Sequence, residues 1–148
     1  MSLSFFSINI RKNRDFWCEL NKYDNAVFAL QEVSVSQKSR IPGMTLIRVG
    51  KSTTAVAFTG NLDIVPVPDL CNSSTTTTIL SSGGGKIVLV SLYLESNKPL
   101  NFDLMQKVVD YCRLNRYEMI IGSDTNSWAN LWGYESSSAR GTQCEQFL

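Results

Sequence analysis

Residues 26–30, Ala-Val-Phe-Ala-Leu, are apolar at every position, and this constrains the chain more than any other feature. A strand with one wet face alternates apolar and polar residues, whereas a strand covered on both faces reads as an unbroken apolar run. Layers must therefore lie on both sides of it. Residues 87–94 form a second such run, interrupted by Ser91, and residues 3–10 and 117–121 share its β-prone character. Between residues 3–10 and 26–30, Phe16, Trp17 and Leu20 recur at helical spacing, which predicts a short amphipathic helix over 14–23 and makes a strand–helix–strand crossover. After Pro99, Phe102, Met105, Val108, Val109 and Cys112 repeat at three and four residues and predict a helix over about residues 101–115. The middle, residues 44–49, 53–59, 62–67 and 75–80, holds short β-prone runs separated by Gly, Pro, Asn and Ser, and reads as an antiparallel meander. Gly83-Gly84-Gly85-Lys86 lacks the spacing of a phosphate loop and precedes a strand, so a hairpin turn is the better reading. Strand order and helix placement together indicate one α/β domain with mixed sheets.

The 43% hydrophobic and 18% charged composition of these 148 residues is that of an ordinary globular domain. Its apolar runs are far shorter than the roughly 20 residues that span a bilayer, so no membrane partner is expected. The N-terminal apolar patch has no basic segment before it and reads as a buried strand rather than a signal peptide. A net charge of +1 provides no global attraction for nucleic acid, and any such site must be local. Cys18, Cys71, Cys112 and Cys144 form no C-x-x-C pair, and the chain has no histidine, so zinc is not expected. Free thiols packed as small hydrophobes, and an intracellular location, are the expectation.

Polar groups stand where three buried strands stop: Asn9 after the first, Glu32 after the second, Asp124 and Asn126 after the last. Polar residues at strand ends of layered α/β folds converge on one rim, where ligands bind. A hard divalent cation suits this set, because Mg²⁺ prefers oxygen ligands and commonly uses one or two carboxylates plus substrate phosphate. Taken singly, an Asp or Asn after a strand is more often a turn or cap residue.

Four motifs in order, Asn9-Ile10-Arg11, Leu30-Gln31-Glu32, Ser91-Leu92-Tyr93 and Gly122-Ser123-Asp124-Thr125-Asn126, resemble those of the endonuclease/exonuclease/phosphatase superfamily. The run that follows, Leu131-Trp132-Gly133 and then Arg140-Gly141, is similar to the endonuclease domain of non-LTR retrotransposons. The resemblance implies a DNase I-like layered sandwich of two mixed β-sheets flanked by helices. It implies Mg²⁺, with Mn²⁺ able to stand in, held by Glu32 with help from Asn9. Asp124 would orient or deprotonate water, Asn126 would hydrogen-bond the phosphate, and Tyr93 would lie beside it. Arg11, Trp132 and Arg140 would contact substrate. The implied activity is nicking of DNA for target-primed reverse transcription, in the nucleus, with a reverse transcriptase domain downstream as partner.

Two departures bear on activity. Ser127, Trp128 and Ala129 stand where many such elements carry small and histidine residues. The superfamily also completes its site with a C-terminal Ser-Asp-His-type motif, and this chain contains no histidine. The expectation is thus the N-terminal portion of such a domain, residues 1–148, with an incomplete second half and little activity of its own. An inactive fragment that retains the fold is the alternative, and a superfamily phosphatase or RNA nuclease a further one.

Overall fold

Two β-sheets lie face to face with helices outside them; the computed structural model describes residues 2–34, 40–127 and 133–147. The first sheet holds β1 (Ser4–Asn9), β2 (Ala26–Gln31), β3 (Arg40–Ile41), β4 (Met44–Ile47) and β5 (Thr54–Phe58), in the order β1-β2-β5-β4-β3. The second holds β6 (Asp63–Pro66), β7 (Thr75–Ser82), β8 (Gly85–Tyr93) and β9 (Glu118–Asp124), in that order. In each sheet one parallel pair joins antiparallel neighbours: β1 with β2 and β8 with β9. Each parallel pair encloses a helix, α1 (Trp17–Leu20) or α2 (Asp103–Asn115), as a crossover requires. A last helix, α3, spans Ala139–Phe147.

Three apolar clusters define the layers. Phe16 and Leu20 pack with Phe28, Leu30 and Ala57 outside the first sheet. Val27, Val56, Phe58, Leu80 and Leu89 fill the space between the sheets. Met105, Val108 and Cys112 of α2 cover Val88, Val90 and Leu92 outside the second. Residues 26–30 are fully buried, with Ala26, Phe28 and Leu30 in the outer cluster and Val27 in the inner one, which accounts for the unbroken apolar run. The expected α/β sandwich is the architecture found.

Local expectations differ in three places. α1 is one turn, not the helix over 14–23: no side chain caps its start, and packing of Phe16, Trp17 and Leu20 holds it against the sheet. β3 follows residues outside the described set and had no apolar signature to reveal it. The meander divides: β5 belongs to the first sheet and β6 to the second. Gly60 makes that passage at φ +81°, where an added Cβ would meet Asn25 Oδ1 at 2.5 Å, so only glycine fits. The glycine cluster is the hairpin turn expected, since Ser82 pairs with Gly85 around Gly83 and Gly84, both at positive φ. Cys112 and Cys144 pack as core residues, whereas Cys18 is exposed. No described helix is long and apolar enough to cross a membrane.

Candidate active site at four strand ends

Side chains of a strand alternate between faces, and this fixes which residues look into the space between the sheets. Val27, Leu89 and Phe5 face it. By the same alternation so do Ser7 and Asn9 on β1, Ala29 and Gln31 on β2, Ser91 and Tyr93 on β8, and Gly122 and Asp124 on β9. The gap between the sheets, apolar through its middle, therefore turns polar at one end. Small groups there allow a close approach: a Cβ on Gly122 would lie 2.5 Å from Ala29 Cβ and 2.9 Å from Ser7 Cβ.

At this end Asn9 Nδ2 donates to Glu32 Oε1 at 2.9 Å and to Asp124 Oδ2 at 2.7 Å. The Tyr93 hydroxyl donates to Glu32 Oε1 at 3.1 Å, and the Asn126 amide donates to Asp124 Oδ1 at 3.0 Å. Residues from β1, from the ends of β2, β8 and β9, and from the loop after β9 thus meet. Glu32 reaches the group by breaking the alternation. Its φ is +53°, a left-handed conformation costing a non-glycine residue on the order of 1–3 kcal/mol. The conformation is held by Lys12 N–H, which donates to the Glu32 carbonyl at 2.7 Å, and by Val33 N–H, which donates to the Thr53 carbonyl at 2.9 Å. Asn126 is likewise left-handed, at φ +49°, and its Nδ2 donates to the Leu94 carbonyl at 3.0 Å.

The donor chemistry suits a hard cation, with one revision to the expected ligand set. Glu32 Oε1 takes both hydrogen bonds, and Oε2 accepts none among the described residues. No lysine or arginine pairs with Glu32 or Asp124 among the described residues. Asn9, expected as a helper ligand, turns its NH₂ group to the carboxylates while the Arg11 backbone N–H donates to its Oδ1 at 2.9 Å. An N–H donor does not ligate a cation, so in this arrangement Asn9 ties the two carboxylates together. Two carboxylates fall short of a cluster of three metal-binding side chains, of which there is none among the described residues. They nonetheless match what Mg²⁺ uses when waters and phosphate complete its shell.

Burial raises the Tyr93 phenol above the ordinary tyrosine value of about 10, the Glu32 and Asp124 carboxylates reinforce this, and a hydrogen bond from Asn126 opposes it. The unfolded chain therefore ionises this phenol first. The stability that results is present below about pH 10 and drains away as the pH rises past it. Tyr93→Phe is expected to flatten that alkaline loss, as read from urea midpoints between about pH 8 and pH 11. An unchanged slope would mean that Tyr93 does not carry it.

The remaining expected residues divide. The Arg11 side chain is exposed next to the rim, at φ +50°, and makes no side-chain hydrogen bond or ion pair among the described residues. Trp132 lies outside the described residues. Arg140, expected to contact substrate, is spent internally: Nε donates to Thr125 O at 2.7 Å, Nη1 to Lys98 O at 2.6 Å, and Nη2 to Leu94 O and Glu95 O at 3.0 and 2.9 Å. A guanidinium bound to four carbonyls braces the loops after β8 and β9. Sequence reasoning passed over Gln31, buried at 1% exposure; a polar side chain closing an apolar strand was the available signal.

The rim opens on two depressions. Asp124 and Asn126 line a cavity of about 650 Å³ with Leu92, Phe102 and Tyr134, and Tyr93 lines one of about 360 Å³ with Asn72, Lys98 and Lys107.

No family model matches the sequence, and no curated protein matches it. Among solved structures, the endonuclease domain of TRAS1, a telomere-specific non-LTR retrotransposon, superposes with a TM-score of 0.75 over 98% of this chain and 68% of that one, at 19% identity. The chain thus has the fold of a non-LTR retrotransposon endonuclease domain.

Proposed function

We propose that this chain is a Mg²⁺-dependent phosphodiesterase module that nicks DNA. The observation that carries the reading is the pair of carboxylates, Glu32 and Asp124, bridged by one amide and paired with no lysine or arginine among the described residues. Glu32 would hold the metal through Oε2, and Mn²⁺ would serve in place of Mg²⁺. When bound, the ion would stabilise negative charge gathering on the scissile phosphate. Asp124, fixed by donors on both oxygens, orients the attacking water and accepts its proton. Tyr93 turns its hydroxyl from Glu32 to a phosphate oxygen, and Asn126 does the same once its amide leaves Leu94 O. Arg11 meets the strand's phosphates on the exposed side of the rim. Depressions lined by Asp124 and Asn126 and by Tyr93 leave room beside the rim for a substrate that continues past the broken bond, as a polynucleotide does. The likeness to a retrotransposon domain supports placing the nick at the start of target-primed reverse transcription, in the nucleus, with a reverse transcriptase as partner.

One observation favours a second reading, an inactive module that keeps the fold: the chain has no histidine to protonate the leaving oxygen. Lacking one such group commonly slows a reaction by about 10²–10⁴-fold. Nicking of supercoiled plasmid in Mg²⁺ is therefore expected to be slow, stopped by EDTA, and absent in Asp124→Asn. Nicking that persists in EDTA or in Asp124→Asn would refute the proposal, and no nicking by the parent protein would favour the inactive module.

A further inference from the structure

Beneath the carboxylates one side chain touches all four strands that carry the site. Gln31 Nε2 lies 3.4 Å from Ser7 Oγ on β1, 3.2 Å from the Ala29 carbonyl on β2, 3.2 Å from Ser91 Oγ on β8 and 3.3 Å from the Gly122 carbonyl on β9. Ser7 stands two residues before Asn9, Ser91 two before Tyr93 and Gly122 two before Asp124, while Gln31 itself precedes Glu32. Two residues is one strand repeat, so Ser7, Ser91 and Gly122 are each the inward-facing residue directly below a site residue. Ser91 adds its own tie between the sheets, donating to the Leu30 carbonyl at 2.7 Å. The two carbonyls accept only, which sets the Gln31 amide with its NH₂ toward the strands and leaves four acceptors around two hydrogens.

We infer that Gln31 is a positioning residue that sets the register of the four strand ends, and with it the spacing of Asn9, Glu32, Tyr93 and Asp124. Two of its four acceptors, Ser91 Oγ and the Gly122 carbonyl, belong to the second sheet, so sliding one sheet over the other breaks both contacts together. At the rim Asn9 and Tyr93 also link the two sheets through the carboxylates, but Asn9 stands on the edge strand β1 and neither side chain reaches all four strands. This role deepens the proposed metal site and rests on it for its functional meaning, although the geometry exists without metal.

The test uses the full chain and two near-isosteric variants. Gln31→Met keeps the volume and removes the contacts; Thr78→Val removes a buried hydrogen bond of β7, Thr78 Oγ1 to Leu89 O at 3.1 Å, away from the rim. Binding of Mn²⁺, followed by loss of its free EPR signal, is expected to weaken about tenfold in Gln31→Met, as for other residues that support metal ligands, and to change less than about twofold in Thr78→Val. The Asn9 side-chain NH₂ resonance reads the same geometry without metal and should lose its hydrogen-bonded shift in Gln31→Met alone. An unaltered Asn9 resonance in folded Gln31→Met overturns the inference whether or not the protein binds Mn²⁺. Absence of Mn²⁺ binding in the parent protein with the Asn9 shift still lost in Gln31→Met overturns the metal site and leaves the positioning role standing.

Discussion

Replacing Glu32 by glutamine should lower Mn²⁺ affinity at least 100-fold and abolish detectable nicking, while the protein stays folded. The substitution keeps the shape that Asn9 and Tyr93 contact but removes the charge and the one carboxylate oxygen without a hydrogen bond among the described residues. A loss of 10²–10³-fold corresponds to roughly 3–4 kcal/mol of lost stabilisation, as expected when one group that stabilises developing charge is removed. Glu32→Gly is the sharper form of the test. Its left-handed φ of +53° suits glycine, so the change should relieve on the order of 1 kcal/mol of strain and hold or raise the melting temperature while metal binding disappears. A parallel loss of stability and binding in both variants would mean that Glu32 serves the fold and not the cation.

Gly122→Val should be the most damaging single change to the fold. Its first added carbon would lie 2.5 Å from Ala29 Cβ and 2.8 Å from Ser7 Oγ, distances that require the sheets to part. Overpacking of this kind typically costs about 1–3 kcal/mol, and the branched side chain should place it at or above the upper end. Parting the sheets at Gly122 also displaces Asp124, which stands one strand repeat further on the same face. Gly122→Ala gives a graded version, and Ala29→Gly in the same chain should recover part of the loss by removing the nearest contact. Additive effects of the two changes in chemical denaturation would show that the sheets are not in close contact there.

The contrast between what was legible in the sequence and what was not follows the same physics. Residues 26–30 announced a strand buried on both faces because Ala26, Phe28 and Leu30 pack into one apolar cluster and Val27 into another. The meeting of Asn9, Glu32 and Asp124 was legible because each closes an apolar strand, and strand ends of a layered α/β fold share one rim. The division of the meander was hidden, since the corner at Gly60 depends on contact with Asn25, 35 positions away, and leaves no periodic trace. The hydrogen bonds of Arg140 were hidden for a related reason, since the four carbonyls around it come from two loops distant in sequence. Gln31 was visible as a polar residue closing the apolar run, but its meaning rests on Ser7, Ser91 and Gly122 coming within hydrogen-bonding distance, which only the packing of the two sheets reveals.

The central claim, that the four strand ends form a hard-cation site, is tested most directly by adding Mn²⁺ to the ¹⁵N-labelled protein and mapping which amide resonances broaden. Paramagnetic broadening falls steeply with distance and so locates the ion without requiring turnover. At substoichiometric Mn²⁺ the first signals to vanish should be those of Asn9, Glu32, Tyr93, Asp124 and Asn126, and excess Mg²⁺ should restore them. Broadening centred on other carboxylates such as Glu19 or Glu95, or spread evenly over the surface, would contradict it.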